Sequence, residues 1–284
     1  MALKNQKPSS TVISVASGKG GVGKTVLTVN LALAAKRMGY SVLILDGDLG
    51  LANVDVLLGL TAKHNLFDVL EGRVPLKAII LEGPLGIKII PSGSGISKLS
   101  SLSMVERIEL LEHLETMDEH FDLIFIDTGA GISDTVTHLN SIADKIVVVT
   151  NSEPHAMTDA YAFIKVMKEN FGRKNFDLVV NMTRYQEEGL KVFGKISEVA
   201  RRFIGTNINM LGSVPLDAQI QKSVMVRRAA SENSTYTLAG QCWNEIARNL
   251  FYAMNSNSQK VDRQFWQEFL KTKSSGHLPS YAVS

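Results

Sequence analysis

A chain of 284 residues, 45% hydrophobic and 20% charged with a formal net charge of +2, has the composition of an ordinary soluble globular protein of one large or two small domains. So small a net charge predicts no strong attraction to nucleic acid or to anionic lipid. The single cysteine, Cys242, excludes an internal disulfide framework and a cysteine-ligated metal site within one chain, and it suits a reducing cytosol.

In chain order, residues 1–10 (MALKNQKPSS) read as a flexible start without the apolar core of a signal peptide. Strands are predicted at 11–16 (TVISVA), 41–46 (SVLILD), 87–90 (IKII), 122–127 (DLIFID), 145–150 (KIVVVT), 176–181 (FDLVVN) and 208–214 (INMLGSV). Most are apolar throughout, as strands covered on both faces are. Helices are predicted at 25–38, 103–118, 134–141, 156–171, 187–202, 217–226 and 236–254, and a Ser/Gly-rich loop at 92–103. This βα alternation predicts a doubly wound, mostly parallel α/β sheet flanked by helices, with one domain over 11–255 and a separate segment over 256–284. No apolar run reaches the roughly 18 residues that cross a bilayer, so any membrane contact is expected to be peripheral.

The stretch 17–25, SGKGGVGKT, joins the first strand to the first helix. It contains GxxxxGKT complete, from Gly18 to Thr25. Gly18, Gly20, Gly21 and Gly23 let successive backbone N–H groups turn towards phosphate oxygens, with Val22 and Val26 in the same wrap. The helix start adds a favourable dipole for an anion. Lys24 is expected on the β- and γ-phosphates and the Thr25 hydroxyl on Mg²⁺. A second lysine, Lys19, is not needed to cradle phosphate. It can reach its own nucleotide or that of a second subunit docked face to face, and spacing alone does not choose.

Asp46 and Asp48 stand where the second strand ends, the edge at which open α/β sheets bind ligands. A carboxylate there can orient the water that attacks a γ-phosphate, and Asp48 is the expected one, with Asp46 as its support. Asp127 closes the strand 122–127 in DLIFIDTGAG and is expected to hold Mg²⁺, so the metal set is Thr25, Asp48 and Asp127. Gly129 and Gly131 leave the backbone there free to move and to offer an N–H to the γ-phosphate. The six histidines show no metal-ligand spacing, and the ten methionines read as core filler.

KGGVGKT, at 19–25, resembles the deviant phosphate loop of the MinD/ParA ATPases, and the segments at 43–59 and 122–131 resemble that family's two switches. The resemblance implies ATP and Mg²⁺ as cofactors, a nucleotide-sandwich homodimer, and a Lys19 that crosses to the partner's ATP, so that Lys19, Lys24 and Asp48 form the catalytic set. It also implies Asn181, Pro215 and Asp217 at the base, and Glu153 and Asp159 at the dimer face.

DGDLGLANVDVLLGL, EGRVPL, DTGAGISD and EPHAMTDAYAFIK further resemble the flagellar-number regulators of the FlhG/FleN group, over about residues 11 to 255. That likeness implies a cytoplasmic ATPase docking on the anionic inner membrane. It would limit flagellar number through a flagellar transcription activator and a flagellar SRP-type GTPase, with no direct nucleic-acid contact. The Asp-Gln-Ala element with which many members stimulate that GTPase is replaced here by Asn5-Gln6. At 260–273 (KVDRQFWQEFLKTK), Phe265, Trp266, Phe269 and Leu270 share a helical face flanked by lysine and arginine, the pattern of an interfacial helix. Related ATPases that partition DNA or place the division site are the alternatives. An iron–sulfur carrier built on the same loop would need paired cysteines.

Overall fold

The computed structural model describes residues 10–48, 53–65, 68–69, 71–91, 120–232 and 237–252. The expected helix over 103–118, the loop over 92–103, the start of the chain, and the C-terminal segment with Phe265, Trp266, Phe269 and Leu270 lie outside the described residues.

Eight strands form one sheet: β1 (Thr11–Ser17), β2 (Val42–Gly47), β3 (Leu81–Glu82), β4 (Lys88–Ile90), β5 (Leu123–Ala130), β6 (Lys145–Thr150), β7 (Asn175–Thr183) and β8 (Asn207–Pro215). Their order is β3-β4-β2-β5-β1-β6-β7-β8, and only the β3–β4 pair is antiparallel. The helices are α1 (Lys24–Arg37), α2 (Val54–Leu57), α3 (Asp134–Ser141), α4 (Pro154–Phe171), α5 (Gln186–Ile204), α6 (Ala218–Met225) and α7 (Leu238–Tyr252).

The uniformly apolar strands are explained by alternation into two layers. Ile13 and Val15 of β1, Ile44 of β2, Phe125 of β5 and Val147 of β6 face the core shared with α1 and α7. Leu43, Leu45, Ile124 and Ile126 enter a second cluster on the opposite face, and Ala16, Ile146 and Val148 join a third with Phe163 and Ile164 of α4. α1 is apolar nearly all round and buried from Leu27 to Ala35, because the sheet covers one side and Trp243 and Phe251 of α7 cover the other. α4 starts with Pro154 as its first residue and ends at Gly172 in the left-handed conformation, as the backbone preferences of these residues require.

Three features depart from the sequence-based expectation. β3, two residues long, and α2, four residues long, are too short to show a periodicity. β5 continues to Ala130, beyond the predicted strand end at Asp127, because its end pairs with Ser17 across a register shift in β1.

Candidate active site

The β1–α1 loop lies at the C-terminal edge of the sheet, with β5 on one side of β1 and β6 on the other. Gly21 (φ 80°) and Gly23 (φ 89°) adopt left-handed backbone that disfavours a Cβ. Gly18 is needed for closeness instead: a Cβ there would sit 2.1 Å from the backbone of Asp159 on α4. The Ser17 hydroxyl braces the loop by donating to the Lys19 carbonyl at 2.8 Å. Gly23, the N-cap of α1, offers no side-chain cap, so the first N–H groups of α1 have no side-chain acceptor there.

Below the loop, Thr25 Oγ1 donates to Asp127 Oδ2 at 2.7 Å and Thr28 Oγ1 to Asp127 Oδ1 at 2.9 Å. Burial pushes the Asp127 carboxyl up to about 6, against the pull of the Thr25 hydroxyl and the charge of Lys24. Lys24 itself is buried, at 9% exposure. The Thr25 and Asp127 oxygens form a hard-oxygen pair that fits Mg²⁺. Because the cation takes the carboxylate and not the acid, protons compete below pH 6. The Mg²⁺-dependent part of nucleotide affinity is expected to fall about tenfold per pH unit below 6 and to stay flat above 7. Titrations with and without EDTA check this; an onset near pH 4 would mean that the carboxyl is unperturbed.

Asp46 pairs in register with Asp127 and is fully buried. It accepts from the backbone N–H groups of Asn53 (3.0 Å), Asp48 (3.2 Å) and Val54 (3.3 Å), and burial pushes it up to about 7. Asp46 therefore holds the backbone at Asp48 and at Asn53–Val54. Asn53 Nδ2 donates to Asp48 Oδ2 at 3.1 Å, and Asp48 Oδ1 lies beside Gly129, where a Cβ would come within 3.7 Å. The Gly131 N–H, expected to be free for a phosphate, donates to the Ser17 carbonyl at 2.9 Å.

A cavity of about 740 Å³ runs from this region across the top of α1. Gly20, Gly21, Gly23, Lys24, Thr25, Val26 and Asp48 line one end; Asn181, Met182, Pro215, Leu216, Asp217, Ile220, Val224 and Met225 line the other. Asp217 also caps α6, accepting from the Gln219 N–H at 2.8 Å. Val22 turns its side chain into the core. Lys19 does not line the cavity: its Nζ meets Glu153 Oε2 at 2.7 Å, an exposed pair at the start of α4 that holds the Glu153 carboxyl below its usual value. Asp159, the other residue expected at the dimer face, lies with its backbone against Gly18.

Four participants escaped the sequence reading. Thr28 sits one helical turn after Lys24, a spacing that could have revealed it. Asn53, five residues after Asp48, has no pattern to mark it. Met182 and Met225, read as core filler, line the cavity. Among the described residues no three His, Cys, Asp or Glu side chains cluster as a metal site, and no helix is long and apolar enough to cross a membrane.

A glycine loop between a buried strand and a buried helix, with an aspartate on the neighbouring strand bonded to the loop's threonine, defines a P-loop NTPase. The family model ParA, described as "NUBPL iron-transfer P-loop NTPase", matches residues 9–251. The chain is 39% identical to the antiactivator FleN of Pseudomonas aeruginosa over 84% of its length and 85% of that protein. It is 31% identical to the flagellum site-determining protein YlxH of Helicobacter pylori, over 94% of this chain and 90% of that one. Among solved structures, the MinC:MinD cell division protein complex of Aquifex aeolicus aligns with a TM-score of 0.67 at 27% identity, covering 88% of this chain and 98% of that one. The chain belongs to the ParA/MinD family of P-loop NTPases and, within it, to the FlhG/FleN group.

Proposed function

We propose that this protein is an ATPase that dimerises face to face on binding ATP and, in that state, limits the number of flagella. The flagellar part is supported by the names of its relatives FleN and YlxH, an antiactivator and a flagellum site-determining protein. The dimer part is carried by one observation: Lys19 stands outside its own cavity, held among the described residues by an exposed ion pair to Glu153. Such pairs are weak and easily exchanged, so Lys19 is available to a nucleotide held by a second copy.

In this reading Lys24 and the loop N–H groups grip the β- and γ-phosphates, and the base lies against the apolar end of the cavity near Met182 and Pro215. Thr25 and Asp127 would hold Mg²⁺, with Asp48 close enough to Asp127 to act on its charge. Mg²⁺ when bound would offset the charge of the phosphate oxygens. Asp48 orients the attacking water and accepts its proton, in a position that Asp46 fixes through the backbone at 48 and 53–54. When the segment at Gly129–Gly131 leaves the Ser17 carbonyl, the Gly131 N–H is free to meet the γ-phosphate.

The domain then spans 11–255, and the segment 256–284, with Phe265, Trp266, Phe269 and Leu270, docks the dimer on the anionic inner membrane from the cytoplasm. Two weak anchors held together bind far better than one, so dimerisation would switch attachment. The partners in this reading are a flagellar transcription activator and a flagellar SRP-type GTPase. The iron in the family model's description finds no paired cysteines here, since Cys242 is alone.

The likeness to MinD favours a second reading, an ATPase that places the division site. One experiment separates the two. Extra copies of the gene in a polarly flagellated bacterium should reduce flagella per cell, and the Lys19→Ala form should not. A change in division placement with flagellar number untouched would select the second reading.

A further inference from the structure

The wall at the apolar end of the cavity is a helix with little of its own to hold it. None of the eight residues of α6 is buried, although Ile220, Gln221, Val224 and Met225 line the cavity. Ile220 packs half-buried against the core of α1 and α7, while Met225 is 81% exposed. A helix this short that buries so little depends on how its ends are fixed. At the first end the Leu216 N–H donates to the Thr183 carbonyl at 2.8 Å, and Asp217 caps the helix. At the second the chain turns through Arg227, a non-glycine residue with a φ of 54°, into a strap over 229–232 that is bonded to α1.

Ser231 is the point of attachment. It is 2% exposed, and side chains of α1 take both of its backbone groups. Its N–H donates to Asn30 Oδ1 at 2.9 Å. Its carbonyl accepts from the Arg37 guanidinium, which also donates to the Glu232 carbonyl at 3.3 Å. Asn30 and Arg37 are about two helical turns apart and so share a face of α1. Asn30 is itself buried, and its Nδ2 donates to the Val26 carbonyl at 2.7 Å. The Ser231 hydroxyl, buried as well, has no partner among the described residues, so the backbone and not the side chain holds the strap. The wall of the cavity thus hangs from the helix whose first turn carries Lys24 and Thr25.

We propose that Asn30 and Arg37 are positioning residues for the base: by latching Ser231 to α1 they fix α6 against the cavity and set the affinity for the part of the ligand beyond the phosphates. This rests on the reading of the cavity as a nucleotide site. With the latch loosened, α6 is in place for a fraction of the time, and the affinity for a nucleotide falls by that fraction. The phosphate loop keeps its own contacts, so a ligand made of phosphates alone loses nothing.

The test uses the full chain as wild type, Arg37→Met and Arg37→Lys, with ATP, ADP and inorganic triphosphate as probes, each with Mg²⁺. Arg37 is exposed, so its replacement spares the core that Asn30→Ala would disturb. Arg37→Met keeps the apolar stem and removes every donor; Arg37→Lys keeps the charge and a donor for one carbonyl. Arg37→Met is expected to bind ATP and ADP about tenfold more weakly and triphosphate within about twofold of wild type, and Arg37→Lys to recover part of the loss. In the ligand-free Arg37→Met protein, amide hydrogens over 218–225 are expected to exchange about tenfold faster, with those of β1 and α1 unchanged.

An equal loss for all three probes would overturn the proposal, since it would place the damage in α1 and the phosphate loop. Unchanged nucleotide affinity, or unchanged exchange in α6, would overturn it too. So would a wild type that binds triphosphate as tightly as ATP, because the wall would then contribute nothing. Failure of Arg37→Met to fold would also contradict it, because a latch on one wall is not a requirement of the whole sheet. A wild type that binds none of the three probes would instead sink the nucleotide reading itself, and the exchange over 218–225 would still judge the latch.

Discussion

Lys24→Ala is expected to lower the affinity for ATP and ADP at least 100-fold while leaving a folded protein. The lysine is nearly buried at the head of α1, where its charge favours the ionised form of Asp127. A hydrogen bond to a charged group contributes about 1.5–3 kcal/mol, so an ammonium shared between two phosphates accounts for two to three powers of ten. Without Lys24 the Asp127 carboxyl loses its main cationic neighbour, and its value rises further in the empty protein. A neutral Asp127 is tolerable where it lies, since Thr25 and Thr28 still bond to it. Calorimetric titration checks the affinity and circular dichroism the fold; affinities within threefold of wild type would remove Lys24 from the phosphate site.

Asp48→Ala is expected to slow hydrolysis by about 10²–10⁴ and to change ATP affinity by no more than a few fold. The carboxylate stands between Asn53 and Gly129, at the end of the cavity that the phosphate loop also lines. In the proposed mechanism it orients the attacking water and is not one of the groups that grip the phosphates. Asp46→Ala supplies the contrast. Three backbone N–H groups lose their common acceptor, so this change is expected to damage both hydrolysis and the placement of the backbone at Asp48 and Asn53–Val54. Single-turnover measurements separate the steps, and near-normal hydrolysis by Asp48→Ala would assign the water to another group.

Much of this was legible in the sequence because it depends on local pattern. The loop from Gly18 to Thr25 is fixed by residue type and spacing, and Asp46, Asp48 and Asp127 mark the ends of apolar strands that cannot be mistaken for surface. What was not legible depends on long-range contact. Asn181 meets Val22 across 159 residues, and no window of sequence shows that partner. Lys19 meets Glu153 across 134, and only the family resemblance pointed to Glu153. The apolar end of the cavity is assembled from β7, β8, α6 and α7, so Met182 and Met225 looked like any other methionines. β3 and α2 fall below the length at which a period can be counted. The extension of β5 to Ala130 follows from pairing with Ser17, a property of the neighbour and not of the segment.

The central claim is that ATP brings two copies together through Lys19. Sedimentation of Asp48→Ala with ATP, with ADP and without nucleotide tests it most directly, alongside the double variant Lys19→Ala, Asp48→Ala. The account predicts a dimer for Asp48→Ala with ATP alone, and a monomer for the double variant in every state. A monomeric Asp48→Ala in ATP, or a dimer that survives the loss of Lys19, would contradict it and leave Lys19 a surface charge paired with Glu153.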